Sequence, residues 1–235
     1  MPILPALLIW SASAAAPSST ENPLPIDGAL LPVGDACYTV HADEQGASAG
    51  KVLRRIERLD DKRLMITIAS RFNGGPLLTS RIEVALPSLR PIRTTEQSDG
   101  ETGLSVRYRE GKARGTVRGA EGRRRTSDVP LPGPVWDDET MEFVLAALPL
   151  AEGAHYDLPV FHFGRGPGVT RIDVRRSVSA EGFGNSPTAA WEIAASTRTD
   201  MTINFLVSQT NRRLLAVDVG GVRSTLGGDC SELIR

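Results

Sequence analysis

The chain has 235 residues, of which 40% are hydrophobic and 23% charged, and its formal net charge is −1 at pH 7. This balance excludes a global electrostatic attraction to nucleic acid or to an anionic membrane. The apolar share is large enough for a hydrophobic core, and beyond the amino terminus no apolar run has the length of a membrane span. We therefore expect a globular protein that does not span the membrane.

The amino-terminal residues have the pattern of a secretory signal peptide. Ile3–Trp10 is an apolar run too short to span a membrane, and Ala12-Ser13-Ala14 is a small-residue cleavage site. The pattern departs from the usual one because no Lys or Arg precedes the apolar run. We predict a signal peptide over residues 1–14, a flexible leader rich in Pro, Ser and Ala over 15–34, and a single β-rich domain over 35–235.

Two cysteines lie near the ends of the predicted domain. Cys37 opens it and Cys230 nearly closes it, and an even cysteine count in an exported protein favours one disulfide bridge. Two unrelated thiols are the alternative, and a redox or metal pair ranks last because neither C-x-x-C spacing nor a neighbouring histidine is present. We predict the bridge, in a periplasmic mature chain that starts near Ala15.

Short segments with alternating apolar and polar residues dominate the body of the chain. The alternation is clearest over 104–118, where two such runs flank a turn at Glu110-Gly111 and predict a hairpin. Other segments with strand-like patterns lie at 64–68, 77–84, 171–178, 191–195, 203–207 and 215–219. We predict a mainly β protein with a single strongly curved antiparallel sheet, as a half-barrel or an open barrel.

One segment has helical spacing instead. Four apolar residues fall on one stripe: Met141, Val144, Leu145 and Leu148. Asp137 or Asp138 can cap the helix, and Pro149 ends it. We predict a helix near residues 138–148 that packs on the concave side of the sheet. A lid or a partner-binding helix is the alternative interpretation.

A series of loose motifs follows the predicted strands in a fixed order. They are LPSLRP at 86–91, YREGKARG at 108–115, VPLP at 129–132, the Trp136-Asp137 helix start, LPLAEG at 148–153 and YDLP at 156–159. In this order they resemble exported bacterial proteins of the domain of unknown function 3108, over most of residues 36–220. The resemblance implies a fold similar to the half-barrel lipoprotein carriers of the periplasm, with a curved sheet closed by helices. It implies no catalytic residues.

No catalytic or metal-binding motif is present in the sequence. The three histidines, His41, His155 and His162, form neither H-E-x-x-H nor H-x-H, and G-x-S-x-G is absent. Paired carboxylates at Asp60-Asp61 or Asp137-Asp138 are the weaker enzymatic interpretation, because the second pair serves better as a helix cap. We expect no cofactor and no metal, and we favour a protein that is not an enzyme.

Basic residues line one face of the predicted hairpin. They lie opposite its apolar face: Arg107, Arg109, Lys112, Arg114 and Arg118. Arg123–Arg125 follow in a predicted loop. A solvated outer face is the first interpretation, and a contact for anionic envelope material is the second. Because the one aromatic residue of this hairpin, Tyr108, faces the other way, no aromatic residue interleaves with the basic ones, and we expect no nucleic-acid partner.

Inward-facing residues of the sheet are the candidates for ligand contact. They are Ile66, Ile82, Val106, Tyr108, Ile172, Val174, Trp191 and Phe205. The same residues would line a ligand cavity or an ordinary filled core. We expect a noncatalytic envelope protein that binds a lipid-like ligand or an envelope protein. An envelope enzyme or assembly factor acting on glycan or peptidoglycan is the alternative.

Overall fold

The computed structural model describes residues 24–42, 48–119, 122–183, 186–196 and 201–234. The predicted signal peptide, its cleavage site and the first part of the leader therefore lie outside the described residues.

Strands make up most of this described part of the chain. They are β1 (Gly34–His41), β2 (Ser48–Asp60), β3 (Arg63–Phe72), β4 (Leu78–Ala85), β5 (Arg90–Ser98), β6 (Glu101–Arg109), β7 (Lys112–Arg118), β8 (Arg124–Pro130), β9 (Trp136–Asp137), β10 (His155–His162), β11 (Gly166–Ala180), β12 (Thr188–Ser196), β13 (Thr202–Ser208), β14 (Leu214–Val219) and β15 (Val222–Leu226). The single α-helix among the described residues is α1 (Met141–Ala146), and 3-10 turns span Gly28–Leu30, Asp138–Thr140 and Ser231–Leu233.

All fifteen strands form one sheet, which runs from β8 through β1, then from β15 back to β9. Neighbouring strands are antiparallel, except that the short β9 pairs with β10 in parallel. The first and last strands among the described residues, β1 and β15, are direct neighbours in the middle of the sheet. The prediction of one large antiparallel sheet with a single helix is confirmed, and the sheet is not closed into a barrel.

The hairpin of β6 and β7 forms where the alternation predicts it. Its turn residues, Glu110 and Gly111, both have positive φ, at 53° and 69°. This is the backbone of a two-residue hairpin turn whose twist matches that of the strands. The next segment differs from the sequence interpretation, because Arg124 and Arg125 open strand β8 and do not lie in a loop. Most of β8 is polar and exposed, so it lacks the alternation that identifies its neighbours.

The helix packs on the concave side of the sheet, as predicted, but is shorter than the predicted span. Asp137 accepts a hydrogen bond from the backbone N–H of Glu139 at 3.0 Å, and this cap starts a 3-10 turn before α1 begins. The four residues of the predicted stripe are all buried, and so are Phe143 and Ala146. Because the helix is apolar on nearly every side, it fills the centre of the concave face.

The described part of the predicted leader belongs to the folded domain. Ile26 and Leu31 are buried in the main core. The N–H of Asp27 donates to the carbonyl of Ala147, and the N–H of Gly28 donates to that of Pro87. Within residues 24–34, Ile26, Gly28 and Leu31 are thus buried in the folded domain, whereas the sequence predicts a flexible leader over 15–34.

The carboxyl-terminal segment crosses the outer face of the sheet and is tied to β1. Cys37 and Cys230 form the predicted disulfide, with their Cα atoms 5.6 Å apart. Leu233 follows the bridge and packs against Leu53 and Ala69, which point outward from β2 and β3. The two ends of the domain are therefore held together at the sheet's centre.

Candidate functional site

The two ends of the open sheet face each other along a line that we call the seam. On one side lie β5 to β8, and on the other lies the end of β10. Phe163 packs so closely on Gly115 that a Cβ atom there would be 2.7 Å from its ring. Phe161 lies edge-on to Tyr108, with ring centroids 5.9 Å apart. Side chains therefore meet at the seam without backbone pairing between β8 and β10 in the described structure.

A cavity of about 600 Å³ opens at the seam; we call it the seam cavity. Its apolar wall is formed by Leu104, Val106, Tyr108, Val117 and Phe163. The first four are inward-facing residues of the β6–β7 hairpin, and α1 does not line this cavity. The cavity thus has the concave, largely apolar form that is typical of small-molecule sites.

Asp137 forms the polar floor of the seam cavity. Its Oδ2 accepts hydrogen bonds from the hydroxyl groups of Thr94, at 2.6 Å, and Tyr108, at 2.5 Å. Burial raises the pKa of the Asp137 carboxyl, while these hydrogen bonds oppose the shift. Burial also raises the pKa of Tyr108, and the neighbouring Asp137 charge adds to this effect. The tyrosine therefore remains a neutral donor.

Two further carboxyl groups line the same cavity. Glu139 is open to the cavity on one side, and desolvation together with the charges of Glu96 and Asp137 raises its pKa to about 7. Burial also raises the pKa of Glu96, with a contribution from Asp137. Desolvation raises the pKa of all three acids, and the Asp137 charge adds to the shift at both glutamates. The polar end of the cavity can therefore accept or donate hydrogen bonds, depending on pH.

His162 closes the cavity at the tip of β10. Its Nδ1 accepts hydrogen bonds from the backbone N–H groups of Gly164, at 3.0 Å, and Arg165, at 3.1 Å. These donors require the lone pair on Nδ1, so the proton of the neutral ring is on Nε2. His162 also lines a second, mostly apolar cavity of about 280 Å³, which includes Met141 and Val160. The two cavities thus share one wall residue.

The predicted basic surface lies mostly on the outer face and is largely paired with acids. Arg114 contacts Asp128 at 2.7 Å, Lys112 reaches the same carboxylate at 3.9 Å, and Arg109 contacts Glu110 at 2.9 Å. The remaining two predicted residues are Arg107, which is exposed, and Arg118, which forms an ion pair with Glu101 at the cavity rim. Surface ion pairs of this kind contribute little to stability, and here they reduce the local positive charge.

The structure distributes the eight predicted ligand-contact residues between two places. Five are buried in the main core around α1: Ile66, Ile82, Ile172, Val174 and Phe205. Trp191 is partly buried against that core. Only Val106 and Tyr108 line the seam cavity.

The polar residues of the cavity were not identified from sequence as binding residues. The sequence predicts Asp137 or Asp138 as the helix cap; Asp137 is the cap through Oδ1, and its Oδ2 also forms the cavity floor. The run of three acids at 137–139 was the available signal. Thr94 and Glu96 lie in β5 and gave no signal.

Two negative findings concern the described residues alone. No group of three His, Cys, Asp or Glu side chains within them is arranged to hold a metal ion. In the same residues, no helix has the length and apolar character needed to cross a membrane.

Comparison with known proteins identifies a family but not an activity. The model of a family described as "Protein of unknown function (DUF3108)" matches residues 31–223, which confirms the resemblance carried by the motifs. No curated protein and no solved structure matches the chain. The seam cavity, with its apolar wall and acidic floor, is therefore the principal evidence about function.

Proposed function

We propose that this chain, which belongs to the DUF3108 family, is a noncatalytic envelope protein that binds a lipid-like ligand in the seam cavity. The observation that carries the proposal is the cavity of about 600 Å³ beside the helix-filled core. Its volume falls within the usual range for small-molecule sites, which are mostly apolar and carry a few polar groups that orient the ligand.

The lining residues favour an amphiphilic ligand. An acyl or similar apolar segment would lie against Leu104, Val117 and Phe163. A hydroxyl, amide or amine group would meet the carboxyl group of Glu139, beside the buried Asp137. The adjoining 280 Å³ cavity beyond His162 offers room for a further apolar segment. A chain of moderate length could therefore be shielded from water along most of its surface.

An exported, periplasmic location fits this proposal. The signal-peptide pattern over residues 1–14 supports export, and the Cys37–Cys230 bridge is typical of an oxidising compartment. A carrier or sensor of amphiphiles in that compartment needs a shielded apolar site, because free acyl chains are poorly soluble in water.

The carboxyl groups of the cavity favour one alternative function. Glu139, with its pKa raised to about 7, could serve as a general acid, with the carboxyl groups of Asp137 and Glu96 beside it. This is the arrangement that an envelope enzyme acting on glycan would need. We rank it second because Asp137 is engaged by two hydroxyl donors and by the helix cap.

A cavity-filling substitution tests the binding proposal. In Leu104→Trp the larger ring occupies the apolar wall, and in the control Leu78→Trp the same change is made at an exposed position of β4. The neutral dye N-phenylnaphthylamine reports binding by fluorescence, and native mass spectrometry of protein from its own periplasm detects a co-purified ligand.

We expect Leu104→Trp to weaken dye binding by about tenfold or more and to remove the bound ligand mass, while Leu78→Trp leaves both unchanged. Equal dye binding by both variants would refute the seam cavity as the site. Conversion of envelope glycan by the wild type, lost in Glu139→Gln, would instead support the enzymatic alternative.

A further inference from the structure

A buried arginine interrupts the apolar inward face of β2. Arg54 lies between Val52 and Ile56, which both belong to the main core, and only 9% of its surface is exposed. A charged side chain at such a position has a high desolvation cost. Replacing a buried ion pair by apolar residues is often neutral or stabilising, so the presence of Arg54 calls for an explanation other than stability.

Two of the three guanidinium nitrogens of Arg54 are engaged by one carboxylate. Nε donates to Glu142 Oε1, and Nη2 donates to Glu142 Oε2 at 2.8 Å. The guanidinium centre stacks over the ring of Tyr38, 4.2 Å from its centroid. The phenol of Tyr38 in turn donates to the carbonyl of Leu214 at 2.8 Å. The arginine is thus fixed in orientation by α1 on one side and β1 on the other.

The third nitrogen, Nη1, is buried and has no hydrogen-bond partner among the described residues. Leaving a charged donor unsatisfied costs more than leaving a neutral one. Arg54 lines a small cavity of about 30 Å³, separate from the seam cavity, which has room for about one oxygen-sized group. An acceptor held in this cavity would therefore lie beside a guanidinium that has one unsatisfied nitrogen.

Two more arginines line the same small cavity. Arg212 and Arg213 lie in the loop before β14, and neither has a carboxylate within ion-pair distance in the described part of the chain. Arg212 has a φ of 59°, a conformation that is unfavourable for a residue with a side chain. Together with Arg54 and Glu142, they leave the cavity with an excess of two positive charges.

We propose that this cavity, which we call the arginine cavity, binds a phosphate group, with one oxygen accepting from Arg54 and the others held by Arg212 and Arg213. A phosphate monoester carries close to two negative charges at pH 7, which matches the excess positive charge. Arginine is suited to this role because its planar fork of donors fits phosphate oxygens. The volume admits only part of the group, so the remainder of the ligand lies outside.

Calorimetric titration at constant ionic strength tests the proposal on the intact mature protein. The first probe is inorganic phosphate, and the second is dihexanoyl phosphatidic acid, a short-chain lipid phosphate. Arg212→Gln combined with Arg213→Gln removes the outer charges without touching the buried pair. Arg58→Gln, an exposed arginine of the same strand as Arg54, is the matched control.

We expect the double variant to weaken phosphate binding by about tenfold or more, while Arg58→Gln leaves it unchanged. If both probes bind, the cavity recognises the phosphate group itself. If only dihexanoyl phosphatidic acid binds, the phosphate group that the cavity recognises belongs to a lipid headgroup. Binding of neither probe, or an equal loss in the control, would overturn the proposal. Dye binding in the seam cavity stays unchanged in the double variant, so the two proposals can fail separately.

Discussion

The centre of the concave face and the seam are built from the same kind of strand but differ in what covers them. At the centre, inward residues such as Ile66 and Ile172 are completely buried in the core cluster to which α1 also belongs. At the seam, Leu104 and Val117 have the same inward position, yet no helix reaches them and a cavity remains. The difference teaches that one short helix decides which part of an alternating sheet becomes core and which part can bind a ligand.

The largest expected effect separates the two regions by stability. Leu145→Ala removes a fully buried side chain of α1, and we expect it to lower the free energy of unfolding by about 2–5 kcal/mol. Leu104→Ala at the half-buried seam wall should cost less than about 2 kcal/mol, because its surroundings are already open. Urea unfolding of both variants measures the contrast. Equal losses would show that the seam is packed as tightly as the centre.

A smaller effect is expected at the acidic floor of the seam cavity. Asp137→Ala leaves the hydroxyl groups of Thr94 and Tyr108 without their shared acceptor and removes the helix cap. We expect a loss of about 1–3 kcal/mol in unfolding free energy. Asp138→Ala, which removes only a surface pair with Arg165, should cost under about 1 kcal/mol. An unchanged stability in Asp137→Ala would contradict the role of this floor.

The smallest expected effect is a pH dependence that belongs to the seam alone. The folded-state pKa of Glu139 is about 7, above its ordinary value of 4.5. The folded protein therefore holds this proton more tightly than the unfolded chain, and stability falls as pH rises between these two values.

Glu139→Gln should remove this dependence. We expect the Tm of the variant minus the Tm of the wild type to be about 1–3 °C larger at pH 8 than at pH 5. The shift is modest because Glu139 is open to solvent. Glu152→Gln, at an exposed turn, serves as the control and should follow the wild type at both pH values. A Tm difference that does not vary with pH would show that Glu139 titrates normally.

The sequence predicted the sheet better than it predicted the site. Alternation identified the β6–β7 hairpin because each of its strands has one face in water and one in the interior. It missed β8, whose residues 124–128 are all exposed. It also did not separate residues 24–34 from the leader, although Ile26 and Leu31 are the apolar residues that anchor them to the core.

The site was less predictable for a physical reason. Ile82 and Val106 show the same alternating pattern, and both are buried, but one faces the helix and the other faces the seam cavity. Whether an inward strand residue faces the helix or the seam cavity depends on the length and position of α1. The alternating pattern of a strand carries no information about that helix. The disulfide was predictable because the sequence offers only two cysteines.

The pairing of β1 with β15 has a consequence for how the chain is made. Tyr38 lies opposite Leu226, so the middle of the sheet is completed only when the residues up to β15 are available. Contacts between such distant residues carry a large loop-closure cost and slow folding. Until β15 is in place, β1 and β14 present open edges that can pair with another chain. A nascent or prematurely ended chain therefore has its most aggregation-prone surface at the centre of the sheet, until β15 covers it.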